Sequence, residues 1–251
     1  QPSEFFKIAI IIYVADFLAK RYRIKTFKRD LLFPAFLVML GFGLILLQPD
    51  FGSGMVMVCS IVVMVLAADS PLSYFVRVGM LGAAGLGGLI ISAPYRLARI
   101  TSFIDPWKDP LGAGFQIIQS LFAISPGGIL GVGFDNSMQK HFYLPEPQTD
   151  FIFAIFAEEF GFIGCCLLIT LFLMVIYQGV KIAKGCADPY LCYIAIGLIS
   201  LFAIQVMINL GVVVGLFPVT GITLPFISYG GSSLIVMMGS MGLLMSIANE
   251  S

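Results

Sequence analysis

Apolar positions in this chain run in long blocks rather than alternating with polar ones. Seven stretches are apolar along most of their length: about 4–19, 31–47, 51–68, 74–93, 151–178, 190–212 and 233–248. A helix that crosses the hydrocarbon core of a bilayer needs roughly 20 such residues, with about 17 as a lower limit. Each block is therefore predicted as a transmembrane helix, the first and last being the shortest. The fold class is all-α, a polytopic integral membrane protein of about seven transmembrane helices in one transmembrane domain, 1–251. Between the fourth and fifth blocks lies a connection of 57 residues, 94–150, which contains the shorter apolar segment "GFQIIQSLFAI". Eleven residues cannot span, and the helix breakers in "DPLGAG" and "SPGGILGVG" bound the segment on both sides. It is predicted as a short helix in or re-entering the interface, with a disordered loop as the alternative.

The polar positions set the orientation. "KRYRIKTFKR", residues 20–29, carries six basic residues, and the positive-inside rule puts it in the cytoplasm. Counting onward, 48–50 and 213–232 fall outside, "DSPLS" and "KIAKGCADP" fall inside, and the long 94–150 loop is extracytoplasmic. With Arg77, the short inside loops hold nine Lys and Arg, and the two short outside ones hold none.

Composition agrees with the pattern. Hydrophobic residues make up 59% of the 251 and charged residues 11%, against about 25% charged in a soluble domain. Mean hydropathy is +1.00. A formal charge of zero excludes a generic basic nucleic-acid binder, so no nucleic-acid partner is expected. Five cysteines without CxxC spacing read as buried structural residues, and a single histidine, His141, rules out a His-rich metal site. The chain opens on Gln1, which leads to the expectation that the natural N-terminus lies upstream.

Residues 190–249 contain no Asp, Glu, Lys, Arg or His, so charge for chemistry must come from earlier in the chain. In "YLPEPQTDFIFAIFAEE", Thr149 is a good N-cap, which would put Asp150 in the first turn of the helix that follows, at the outer surface. The helix dipole favours the charged carboxylate and partial desolvation opposes it. Asp150 is either a capping residue or a general base for a sugar hydroxyl. Glu158 and Glu159 lie two turns deeper, and at least one must face the bundle interior. Glu4 and Lys7 share a helix face and make either a packing ion pair or a charged wall of a substrate groove. Arg96 and Arg99, with Lys140, suit a phosphate or pyrophosphate group, or else snorkel at the interface. Trp107 reads as an interface anchor. "PVTGITLPFISYGGSS" offers neutral sugar-binding donors such as Ser228, Tyr229 and Ser232, in non-helical backbone that a cavity wall tolerates.

The motifs "QPSEFFKI", "LQPDFGSG", "PYRLARITSFIDPWKDPLGAGFQIIQS", "GVGFDNSMQKHFYLPEPQTDFIFAIFAEEFGFIG" and "TGITLPFISYGGSS" resemble those of the SEDS family, the RodA/FtsW/SpoVE cell-wall polymerases, in family order over nearly the whole chain. "SMQK" before "YLPE" is more similar to the FtsW/SpoVE branch. The resemblance implies ten transmembrane helices, of which the seven here are the fourth to tenth. It implies glycosyl transfer on lipid II, with Asp150 of the "TDF" motif as the catalytic residue acting on the acceptor GlcNAc 4-hydroxyl. Glu4, Lys7, Arg96, Arg99, Lys140, Ser228, Tyr229 and Ser232 would bind substrate. A class B penicillin-binding protein and other division or elongation proteins are the implied partners, beside membrane lipid. A divalent cation such as Mg2+ is compatible with this chemistry, but the sequence shows no dedicated metal cage. The implied location is the bacterial cytoplasmic membrane, with the catalytic face outside. A lipid II flippase and a non-catalytic division scaffold are the competing readings. A flippase needs a polar path to the inner surface, where only Asp16 and Arg77 stand.

Overall fold

The structure, a computed structural model, describes residues 1–20, 32–48, 50–68, 101–112, 114–138 and 148–250. Seven α-helices have both ends among them: α1 (Pro2–Ala19), α2 (Leu32–Leu47), α3 (Phe51–Ala67), α4 (Phe115–Gly127), α5 (Ile152–Gly185), α6 (Pro189–Val213) and α7 (Gly231–Glu250); residues 101–104 are helical as well. The described residues contain no β-strand. The predicted span at 74–93 lies outside the described residues. By length and composition, α5, α6 and α7 can each cross a membrane, and α2 and α3 are shorter apolar helices.

The chain divides into two compact units. One comprises Gln1–Met80, Met174–Gln205 and Gly230–Ser251; the other comprises Leu81–Leu173 and Val206–Tyr229.

In the first unit, α1 starts with Pro2 at a position where the missing N–H costs nothing. Its buried residues, among them Ser3, Lys7, Ile10, Ile11, Val14 and Leu18, recur at helical spacing and form one stripe. This stripe accounts for the charges in the helix, since Glu4 and Lys7 lie on it and Asp16 pairs instead with exposed Lys20, 2.6 Å away. Asp50 caps α3 by accepting the Ser53 N–H at 3.0 Å, and its other oxygen accepts from Gln1 Nε2 at 3.1 Å. That residue therefore ties the starts of two helices together. Small residues let these helices approach closely: a methyl group at Gly197 of α6 would strike Ile11 of α1 and Met64 of α3.

In the second unit, α4 is the predicted short helix. Its 13 residues cover about 20 Å, too little for a hydrocarbon core of roughly 30 Å. It runs three residues past the predicted apolar segment, with Pro126 in its last turn. The Ser120 hydroxyl, fully buried, donates to the Val213 carbonyl at 2.8 Å, which satisfies an end group of α6 that the helix itself leaves open. Trp107 is exposed, and its ring meets Phe122 edge-on with centroids 6.0 Å apart.

The structure corrects one boundary and adds one break. The helix predicted to end at 178 continues to Gly185, so most of "KIAKGCADP" is helical and only 186–188 connect α5 to α6. Within α5, Gly161 has φ 63° and ψ −163° and breaks the helix in two. A continuous helix would bond the N–H groups of Phe162 and Ile163 to the carbonyls of Glu158 and Glu159. Here the glycine-rich loop takes all four groups. Phe162 and Ile163 donate to Gly128 and Ile129 at 2.9 and 3.2 Å, while Val132 and Gly133 donate to Glu158 and Glu159 at 3.0 and 3.1 Å. Broken helix is tolerated at this depth because protein backbone, not lipid, satisfies it.

Candidate active site

The turn 148–150 is held by its own backbone. Three consecutive carbonyls each accept one hydrogen bond: Gln148 from the Tyr229 N–H at 2.8 Å, Thr149 from the Ser228 hydroxyl at 2.6 Å, and Asp150 from Asn209 Nδ2 at 2.9 Å. These ties explain a departure from the sequence reading. Asp150 was expected in the first helical turn behind a Thr149 cap, but α5 begins at Ile152 and Asp150 stands in the turn before it. These carbonyls are turned toward donors on other segments, and the Ala154 N–H bonds the Phe151 carbonyl rather than that of Asp150, so the helix starts only after Phe151. The side chain of Phe151 is completely buried and its carbonyl accepts from Ala154 at 2.9 Å.

Asp150 is half-buried. Opposite it, Gly221 adopts φ +74°, and a Cβ there would lie 3.6 Å from Asp150 Oδ2. The loop 218–230 thus passes the carboxylate with bare backbone at Gly221. Ser228 also accepts the Leu224 N–H at 2.7 Å, so its proton and a lone pair are both spent inside the protein. The part it plays in the structure is to fix Thr149. Tyr229, by contrast, is 77% exposed and presents its phenol outward.

Glu158 and Glu159 are both buried. Glu158 accepts the Ser137 hydroxyl at 2.5 Å and the Met138 N–H at 3.0 Å, one on each oxygen. Ser137 and Met138 are therefore held just before the segment 139–147, and Gln148–Asp150 just after it. Lys140 belongs to that segment and lies outside the described residues, as do Arg96 and Arg99.

The first unit contains the other predicted group. Lys7 Nζ lies 2.8 Å from Glu4 Oε1, with both side chains almost completely buried. The second Glu4 oxygen and the Ser3 hydroxyl are buried without a hydrogen-bond partner among the described residues. Ser232 stands half-buried in the first turn of α7. Among the described residues no three His, Cys, Asp or Glu side chains gather as metal ligands do. All five cysteines are free thiols.

Sequence reasoning passed over Asn209, Ser137 and Gly161. Two of them carried a signal. Asn209 is an amide inside an apolar span, where such groups seek partners on other segments. Gly161 follows a pair of charged residues in a helix that is too long for one crossing.

Buried ion pair, broken helix and apolar spans define an α-helical membrane protein with a polar site at the head of α5. The chain belongs to the FtsW/RodA/SpoVE family, whose model, described as "Cell cycle protein", matches residues 1–251. It is 52% identical to Stage V sporulation protein E of Bacillus subtilis (strain 168), over 100% of this chain and 69% of that protein. It is 41% identical to a probable peptidoglycan glycosyltransferase FtsW of Geobacter sp. (strain M18), over 100% of this chain and 68% of that one. Among solved structures, a peptidoglycan synthase complex described as coordinating polymerization and crosslinking matches with a TM-score of 0.79 at 33% identity, covering 100% of this chain and 70% of that one. The rod shape determining protein RodA of Thermus thermophilus matches at 0.68 and 28%, covering 100% and 66%. The all-helical fold and the family expected from the sequence are thus both found.

Proposed function

We propose that this protein is a peptidoglycan glycosyltransferase that polymerises lipid II into glycan strands, working at the outer face of the bacterial cytoplasmic membrane. The observation that carries the reading is the turn 148–150, whose three successive carbonyls are tied down so that the carboxylate of half-buried Asp150 faces bare backbone. A general base has to be held within a fraction of an ångström of the proton it takes, and a fixed main chain supplies that. The similarity to proteins described as probable peptidoglycan glycosyltransferases supports the same class of chemistry.

In this mechanism Asp150 accepts the proton of the 4-hydroxyl of an acceptor GlcNAc. The freed oxygen attacks the anomeric carbon of the donor MurNAc, a new glycosidic bond forms, and the bond to the lipid pyrophosphate breaks. The pyrophosphate leaves with the electron pair. Arg96, Arg99 and Lys140 are assigned to neutralise it, and Lys7 with Glu4 to bind a polar part of the substrate. Tyr229 and Ser232 offer hydroxyls to sugar, while Ser228 acts by holding Thr149. The described residues offer no protein-only cage for Mg2+, and none of these steps is routed through a metal. A class B penicillin-binding protein is the proposed partner, in line with the crosslinking role of the complex that this chain resembles. The setting is cell division or spore formation.

The test is polymerisation of labelled lipid II by the full-length protein with its partner. Asp150→Ala and Asp150→Asn should both lose glycan synthesis while remaining folded. Full synthesis by both variants would overturn the assignment of the base.

A further inference from the structure

Asn209 lies near the end of α6 and is 1% exposed. Its Nδ2 donates to the Asp150 carbonyl at 2.9 Å and to the Ile222 carbonyl at 2.6 Å. A primary amide has two N–H groups on that nitrogen, so both are used. The opposite orientation of the amide would set an acceptor oxygen against two carbonyls, so the two contacts fix which way it points. The Asn209 Oδ1 atom is buried with no hydrogen-bond partner among the described residues. The two carbonyls belong to the segments that form the site: the turn bearing Asp150, and the loop in which Gly221, beside Ile222, lies next to Asp150 Oδ2.

We infer that Asn209 is a positioning residue, which holds the Asp150 turn and the Gly221–Ile222 backbone at a fixed separation and so sets where the carboxylate stands. The inference rests on the reading of Asp150 as the base. Three properties suit Asn to the task. It reaches both carbonyls from one helix position, it is neutral where a charged donor would be costly to bury, and it is short enough to be rigid. Aspartate has the same shape but no donors, and would present oxygens to both carbonyls.

The experiment measures lipid II polymerisation by the full-length protein with its partner, per folded molecule, for wild type, Asn209→Ala, Asn209→Asp, Asp150→Ala and the double variant. A misplacement of about 1 Å at a reacting group costs on the order of 100-fold in rate. Asn209→Ala is expected to lower kcat by about 10- to 100-fold and to leave KM for lipid II within about twofold, with Asn209→Asp at least as impaired. Added to Asp150→Ala, it should lower residual activity no further, because a residue that acts through Asp150 has nothing left to position. If Asn209→Ala yields no folded protein, Asn209→Ser, which keeps one donor in a smaller side chain, carries the same comparison. Wild-type kcat per folded molecule, or losses that multiply in the double variant, would overturn the inference. Full activity of Asp150→Ala would be a different failure, that of the base assignment itself.

Discussion

The Ser137 hydroxyl and the Glu158 carboxylate meet at 2.5 Å across a sequence separation of 21 residues, and Glu158 is only 2% exposed. The other oxygen takes the Met138 N–H. Glu158 thereby closes the glycine-rich loop onto the broken part of α5. Two hydrogen bonds to a charged acceptor are worth roughly 1.5–3 kcal/mol each. Glu158→Ala should then destabilise the protein by about 3 kcal/mol, seen as a lower midpoint of thermal unfolding in detergent. Glu158→Gln keeps an acceptor for the Met138 N–H and can donate to Ser137, whose hydroxyl rotates to accept. It should stay within about 1 kcal/mol of wild type. Equal losses in the two variants would mean that the charge itself matters, rather than the latch.

Gly161 makes the break possible. At its φ of 63° and ψ of −163°, a Cβ would fall 2.3 Å from the Gly131 nitrogen and 2.8 Å from the Ile129 carbonyl. Gly161→Ala combines a backbone region that is nearly closed to other residues with a clash against main chain that cannot move aside. A cost of about 3 kcal/mol or more is expected. Gly239→Ala is the control, since nothing lies within 4 Å of that position in α7. Alanine there should stabilise the helix by about 0.5–1 kcal/mol. The two variants should shift the unfolding midpoint in opposite directions.

The physical range of each signal decided what the sequence could reveal. Apolar blocks report burial in lipid or protein over whole helices, so six of the seven predicted blocks are found as helices, α1–α3 and α5–α7, with ends moved by up to seven residues; of these α5–α7 are long and apolar enough to cross a membrane, and the seventh block lies outside the described residues. The pairing of Glu4 with Lys7 follows from helical spacing alone, and it is found. The start of α5 was misplaced because it depends on donors 59 to 81 residues further along, Asn209, Ser228 and Tyr229, and local cap chemistry carries no record of them. The break at Gly161 depends likewise on a loop that precedes it by 28 to 33 residues. Asp150 was legible as a candidate through its motif, but what holds it was not.

The Glu4–Lys7 pair can be separated into its folding and functional parts. Lys7→Met leaves a carboxylate buried and unpaired, for which about 3–5 kcal/mol is expected. Joining it to Glu4→Gln removes both charges and should restore most of that stability, since the desolvation penalty disappears with the pair. The double variant should therefore unfold at a higher temperature than Lys7→Met alone. If the pair also binds substrate, the double variant will be folded yet poor in lipid II polymerisation, with a raised KM. A stable, fully active double variant would leave the pair with a packing role only.

Orientation is open to a direct chemical test. Asn136 is exposed, in the turn between the glycine-rich loop and the Ser137 latch. In a chain whose five cysteines have been replaced, Asn136→Cys should react in intact cells with a membrane-impermeant maleimide. Restoring Cys186 alone gives the opposite marker, because the connection 186–188 is assigned to the cytoplasm and should react only after permeabilisation. Its pH dependence supplies a check on the environment. Burial first, and then the Asp188 carboxylate beside it, pushes the Cys186 thiol above its ordinary value. Only the thiolate reacts, so at neutral pH Cys186 should label more slowly than a free thiol, and its rate should reach half of its maximum at a higher pH. The sulfur also donates to the Ile182 carbonyl at 3.2 Å, which favours the protonated form further. Labelling of Cys186 in intact cells, with protection at position 136, would reverse the assigned topology and move Asp150 to the cytoplasmic side, where a polymerase of exported strands could not use it.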